Sequence, residues 1–190
     1  MYKYLTMSFF YFFISIVNAD VNKSENKGIV RGGDFSLQSI DGNVNLKDFR
    51  GKVVPIYFGY TYCPDICPTN LSLLSVALDK LTDDELQQVQ GIFITLDPDR
   101  DNGQHLKEYA NYFHKSIIGL YGRQPVVDFV ANQYGVYYEK VKTKNSAMNY
   151  SIDHTSELYI VGKTGKLHAI LPHATKPNEI LRAIKKAMKN

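Results

Sequence analysis

Cysteine is scarce in this sequence, with two thiols in 190 residues. Two cysteines cannot staple a small disulfide scaffold, nor can they supply a four-cysteine zinc site. Charge of one sign is scarce as well. The 22 Lys and Arg stand against 19 Asp and Glu, a formal charge of +3, which is no basic footprint and argues against a nucleic-acid partner. No apolar run reaches the roughly 20 residues that cross a bilayer unaided, and no internal repeat is visible. What is present is 44% hydrophobic, 22% charged and 13% aromatic, the composition of one globular domain and not of a disordered chain.

The longest apolar run lies at the start. Met1 to Ala19 has a basic beginning (Lys3), a mostly Leu, Ile, Phe, Tyr and Val stretch from Tyr4 to Val17, and Val17-Asn18-Ala19 as a small-residue cleavage site. This is the pattern of a signal peptide, or of a membrane anchor if flanking residues extend it. The head lacks the Arg and the amphipathic spacing of a mitochondrial transit peptide. Residues 20–33 are polar and glycine-punctuated without periodicity, the composition of a flexible linker. The domain is therefore expected over residues 34–190, in an oxidising compartment where a cysteine pair does not stay idle.

Within the domain, extended pieces at Phe35–Leu37 and Val44–Leu46 flank the turn Asp41-Gly42-Asn43 and predict a hairpin. Val53–Phe58 reads as a strand covered on both faces, with Pro55 a flaw for a central position. Leucines at 71, 74, 78 and 81 predict a helix over Pro68–Leu81. Gly91–Leu96 reads as a buried strand, Gln104–Phe113 as a helix, Ile117–Leu120 as a short strand, and Val126–Tyr134 as a helix. Polar Glu139–Asn149 reads as a long loop. Glu157–Val161 and Leu167–Leu171 flank a Gly-Lys-Thr-Gly turn, and Pro177–Met188 closes the chain as an amphipathic helix. Strands alternating with helices, ending in an antiparallel hairpin and a helix, indicate an α/β sandwich with a mixed central sheet.

The chemistry concentrates in Phe58-Gly59-Tyr60-Thr61-Tyr62-Cys63-Pro64-Asp65-Ile66-Cys67-Pro68. Pro68 is suited to the first position of a helix, with Cys67 as its cap. Both thiols then lie where a strand ends and a helix begins, a place that stabilises thiolate and where open α/β sheets bind ligands. Such a pair can close a disulfide or hold one soft metal ion. Copper(I) is the first candidate by softness, because zinc and iron usually want four ligands. The plainer use in an exported protein is a stabilising disulfide. The Thr-x-x-Cys spacing of a peroxidase site is absent.

Of the five histidines, His105, His114, His168 and His173 read as surface residues on helix flanks, a strand's outer face and a loop. His154 differs, because Ile152-Asp153-His154-Thr155-Ser156 directly precedes a strand. Asp153 is a candidate to orient the His154 imidazole, although adjacent residues of an extended chain point to opposite faces. Leu96-Asp97-Pro98-Asp99-Arg100-Asp101 carries three carboxylates and reads as an Asp-Pro turn with Asp101 near the cap of the next helix. Met148 is a soft candidate ligand in the Glu139–Asn149 loop. Tyr60 and Tyr62 are candidates to shield a bound ion.

Cys-Pro-Asp-Ile-Cys-Pro after Tyr-Phe-Gly-Tyr-Thr, Leu96–Asp101, and Asp153-His154-Thr155 together resemble the SCO/SenC family of copper proteins that assist cytochrome c oxidase assembly. Gly32–Leu37 and Asp48–Lys52 also resemble that family's entry into its thioredoxin-like fold. The resemblance runs from about Gly32 to the C-terminus and departs in Thr155, where serine is common, and in a leader short for an anchor. It implies a thioredoxin-like domain holding one copper, Cu(I) or Cu(II), through Cys63, Cys67 and His154. The same resemblance implies a metallochaperone that delivers copper to, or reduces the thiols of, the dinuclear copper site in oxidase subunit II. Its other partners would be an upstream copper donor or a thiol reductant, with membrane contact through the N-terminal segment. The place implied is the periplasmic side of a bacterial inner membrane, anchored or soluble, or alternatively the mitochondrial intermembrane space. The rival reading is a thiol-disulfide oxidoreductase in which Cys63 and Cys67 cycle as a redox-active disulfide.

Overall fold

A computed structural model describes residues 31–142 and 149–189. The leader, most of the linker and Met148 lie outside the described residues. In chain order the elements are β1 (Ser36–Ser39), β2 (Gly42–Asn45), a 3-10 turn (Leu46–Phe49), β3 (Val54–Gly59), α1 (Ile66–Leu78), α2 (Asp83–Leu86), β4 (Gly91–Thr95) and α3 (Gly103–Phe113). Then follow β5 (Ile117–Leu120), α4 (Gln124–Tyr134), β6 (Tyr138–Lys142), β7 (Tyr150–His154), β8 (Leu158–Val161), β9 (Leu167–Leu171) and α5 (Pro177–Met188).

Five strands form one mixed sheet in the order β5-β4-β3-β8-β9, with β3 parallel to β4, β4 parallel to β5, and β8 antiparallel to both β3 and β9. Every residue of β3, β4 and β8 is buried, as continuous apolar runs require when helices cover both faces. Alternation along β3 divides the core. Val53 and Tyr57 face Leu71 and Leu74 of α1, Leu106 of α3 and Ile180 and Ile184 of α5. Val54, Ile56 and Phe58 face Val127, Val130 and Tyr134 of α4, together with Leu37 and Leu46. The expected hairpin β1–β2 is present and is tied to the sheet by Gln38 and Tyr121, which exchange main-chain bonds of 2.9 and 2.8 Å. Pro55 does sit in a central strand. It lies opposite Ile160 of β8 and, on the other side, in the gap between the isolated bridge Val53–Val89 and the ladder with β4 that opens at Ile56.

The structure departs from the sequence reading at four places. Helix α1 begins at Ile66 with Asp65 as its cap, so Cys67 lies inside the first turn instead of capping it. Pro68 is then the third helical residue, whose N–H would lack an intrahelical partner in any case. The same helix stops at Leu78 because Thr82 caps a new one, its side chain and that of Glu85 exchanging bonds with each other's main chain.

The polar stretch read as a loop begins as strand, Glu139–Lys142 belonging to β6, while residues 143–148 lie outside the described residues. β6 and β7 pair antiparallel as a sheet of their own, with Tyr138 opposite His154 and Lys142 opposite Tyr150. Its polarity reflects a hairpin with one face in water, so the alternation shows only weakly. Asn102 caps α3, accepting from the His105 N–H at 2.9 Å, which leaves Asp101 next to the cap as expected. Finally, His114 is no surface residue. Its side chain is 11% exposed, with Nε2 3.4 Å from Asp79 and Nδ1 2.7 Å from the Ser116 hydroxyl. Among the described residues no helix is long and apolar enough to cross a membrane.

Candidate metal centre

Three segments distant in sequence meet at one end of the sheet. β3 delivers Cys63 through the loop after Gly59, the first turn of α1 delivers Cys67, and the end of β7 delivers His154. The Sγ atoms of Cys63 and Cys67 and a ring nitrogen of His154 lie within 4.8 Å of one another, the one such group of three among the described residues. Both cysteines are free thiols, Cys63 half-buried and Cys67 buried. The Cys67 N–H donates to the Cys63 sulfur at 3.3 Å, and the Cys67 sulfur lies 3.4 Å from His154 Nε2.

The histidine's protonation follows from its other nitrogen. His154 Nδ1 lies 2.8 Å from the Thr155 carbonyl. A carbonyl only accepts, so Nδ1 carries the hydrogen and, in the neutral ring, Nε2 presents its lone pair to the thiols. Edge-on contacts with Tyr57 and Tyr60, at centroid distances of 6.3 and 6.0 Å, fix the ring plane.

The two thiols are unequal. A hydrogen bond from the Cys67 thiol, with help from the main-chain N–H groups of Cys67 and Asp65, outweighs burial and brings Cys63 down to about 4. Burial, reinforced by the neighbouring Cys63 thiolate, pushes Cys67 strongly up. The accessible sulfur is thus the thiolate and the buried one holds the proton. Cys63, Tyr60, Ile66 and His154 line a cleft of about 360 Å³ that opens the group to solvent.

Supporting contacts explain residues to which sequence reasoning gave no role. A Cβ on Gly59 would sit 2.7 Å from the Cys67 sulfur and 3.1 Å from the Phe93 ring, so only glycine lets that thiol pack on the strand. Asn70 donates to the Tyr57 hydroxyl at 3.1 Å and to the Ser156 carbonyl at 2.9 Å, and accepts from the Ala174 N–H at 3.1 Å. It joins α1 to the loops before β8 and α5. An amide four residues from Leu74 and seven from Ala77, on an otherwise apolar stripe, was the available signal.

Of the residues singled out from sequence, Cys63, Cys67 and His154 are brought together. Asp153 is exposed and lies opposite Glu139 in the hairpin. The bond at the far imidazole nitrogen comes from the Thr155 carbonyl instead, because successive side chains of β7 point to opposite faces. Tyr60 is buried against the ring, whereas Tyr62 is 42% exposed and lies 5.1 Å from the Arg100 guanidinium. Asp101 is buried and accepts from Thr61 and Thr95, which makes it a brace for the cysteine loop.

With this geometry in view, comparison with known proteins is decisive. The family model described as SCO1/SenC matches residues 23–189. The chain belongs to that family. A SCO2-like protein of Rickettsia felis is 36% identical over 155 residues, covering 81% of this chain and 75% of the relative. The mitochondrial SCO1 homolog 1 of Arabidopsis thaliana is 41% identical over 131 residues, covering 68% of this chain but 39% of the relative. Among solved structures, Arabidopsis thaliana ScoI with copper bound superposes with a TM-score of 0.76 at 34% identity, over 83% of this chain and 98% of that one. The mixed sheet with helices on both faces is the thioredoxin-like fold of these SCO1/SenC structures, and the Cys-Cys-His group is this chain's own candidate copper site.

Proposed function

We propose that this protein is a copper metallochaperone that carries one copper per chain on the Cys63 and Cys67 sulfurs and His154 Nε2. The observation that carries this reading is the convergence of three donors within 4.8 Å beside an open cleft. Two thiolates and an imidazole suit copper by softness. A fourth side left open suits a carrier, since passing the ion on requires that a recipient's ligand reach it. Membership of the SCO1/SenC family supports the dinuclear copper site of cytochrome c oxidase subunit II as the recipient. An exported location, with residues 1–19 as signal or anchor and 20–33 as tether, fits both that recipient and relatives that are rickettsial or named as mitochondrial.

Reconstitution with Cu(I) and with Cu(II), followed by metal analysis, is expected to give one copper per chain. His154→Ala is expected to lose Cu(II) first, since the harder ion depends more on the imidazole. No bound copper, or equal binding by the variant, overturns the reading. The inequality of the thiols supports a second reading, a thiol-disulfide oxidoreductase with Cys63 as attacking sulfur and Cys67 as resolving sulfur. Disulfide turnover unaffected by His154→Ala, in a protein that fails to retain copper, would favour it.

A further inference from the structure

The segment between β4 and α3 supplies none of the three candidate ligand atoms, yet it grips both halves of the site. On one side it holds the cysteine loop. Buried Asp101 accepts from the Thr61 N–H at 3.0 Å and the Thr61 hydroxyl at 2.5 Å, two residues before Cys63, and is braced by the Thr95 hydroxyl at 2.6 Å. On the other side it holds the hairpin that bears His154. Arg100 Nε donates to buried Asp97, and Arg100 Nη1 donates to the Tyr150 carbonyl at 3.0 Å. The guanidinium lies 3.8 Å from the centre of the Tyr150 ring. The Tyr150 hydroxyl returns to Asp97 at 2.8 Å, and Lys140 of β6 donates to Asp99 at 2.7 Å.

This second grip matters because β6 and β7 pair only with each other in the described sheets. No main-chain ladder fixes His154 to the five strands beneath the thiols. Its place depends on side chains, among them Ile152 in the core, Tyr57 and Tyr60 edge-on to the ring, Asn70 on the Ser156 carbonyl, Tyr138 bonded to Gln124 and Asp128 of α4, and the Tyr150 end held by Asp97, Arg100 and Asp99.

We propose that residues 97–101 are the positioning element of the site, with Arg100 and Asp97 clamping Tyr150 so that the imidazole is held against the thiols. The inference rests on the copper reading for its spectroscopic arm only. Freeing the Tyr150 end leaves the two sulfurs in place and lets His154 move. Cu(I), which two thiolates satisfy, stays bound, whereas Cu(II) loses its nitrogen ligand.

The test compares the wild type with Tyr150→Ala, with Arg100→Lys, which keeps a cation beside buried Asp97 but loses the fork, and with His154→Ala. Both clamp variants are expected to retain Cu(I) at wild-type stoichiometry and to bind Cu(II) about 10- to 100-fold more weakly. Their Cu(II) absorption and electron paramagnetic resonance spectra should move toward those of His154→Ala. In the copper-free proteins, hydrogen exchange should quicken at residues 150–155 and stay unchanged in α1. Wild-type Cu(II) spectra together with wild-type hairpin protection would overturn the clamp while leaving the copper site standing. Parallel loss of Cu(I), Cu(II) and α1 protection would also overturn it, as a merely structural effect. If wild type and His154→Ala bind copper alike, the copper reading fails and hydrogen exchange alone decides the clamp.

Discussion

At the scale of single residues, the site works by making two identical side chains different. Cys63 sits in a loop where N–H groups and a neighbouring thiol point at its sulfur, and Cys67 packs on Gly59 away from water. Because Cys63 is brought down to about 4, its thiolate fraction is already saturated at neutral pH. Alkylation of Cys63 should be nearly flat from about pH 5.5 to 8 and fall only as pH drops toward 4, whereas an ordinary thiol gains about tenfold per unit up to its pKa near 8.5. Mass mapping of the reduced protein after brief iodoacetamide pulses reads this directly. A Cys63 rate that climbs steadily through pH 8 would contradict the assignment. The same inequality predicts that copper binding at pH 7 releases about one proton from the thiol pair, not two, since only Cys67 still carries one. Calorimetry in buffers of different ionisation enthalpy measures that number.

At the scale of elements, the site depends on how closely the first turn of α1 approaches the end of β3. Gly59→Ala is expected to destabilise the fold by about 1–3 kcal/mol, the usual cost of forcing an extra carbon into a packed core. It should also displace the Cys67 sulfur, seen as weaker copper retention at a denaturant concentration where the variant is still folded. The elements also show what was legible beforehand. The buried strands, the helix after the cysteines and the closing hairpin and helix could be read from apolar runs and leucine spacing. The thiol pair is legible from its place between a strand and a helix, whereas His154 stands out only through the SCO/SenC resemblance; the structure brings the three within 4.8 Å of one another. The hairpin β6–β7 could not be read, because a half-solvated pair rich in Lys and Glu has the composition of a loop. Asp101 does lie beside the cap of α3, but its bonds to Thr61 could not be read, because only the fold brings that residue, forty positions earlier, into its reach.

At the scale of the whole molecule, three segments separated by most of the domain must be assembled before the donors meet, so metal affinity and folding are linked. Copper that binds the native state should stabilise it by about 2.7 kcal/mol when free ion exceeds Kd by a hundredfold. For a domain of this size that raises Tm by roughly 5–10 °C. Scanning calorimetry of the reduced protein with and without Cu(I) checks this, with Cys67→Ser as the control expected to show little shift.

The bond from His154 Nδ1 to the Thr155 carbonyl has a genetic implication. The group that dictates which imidazole nitrogen stays bare is a peptide oxygen, which every amino acid supplies. Drift at position 155 can therefore replace threonine without disturbing the tautomer, provided the chain keeps its course there. Serine in place of Thr155 should be silent at the ring, whereas a substitution that redirects the backbone should not.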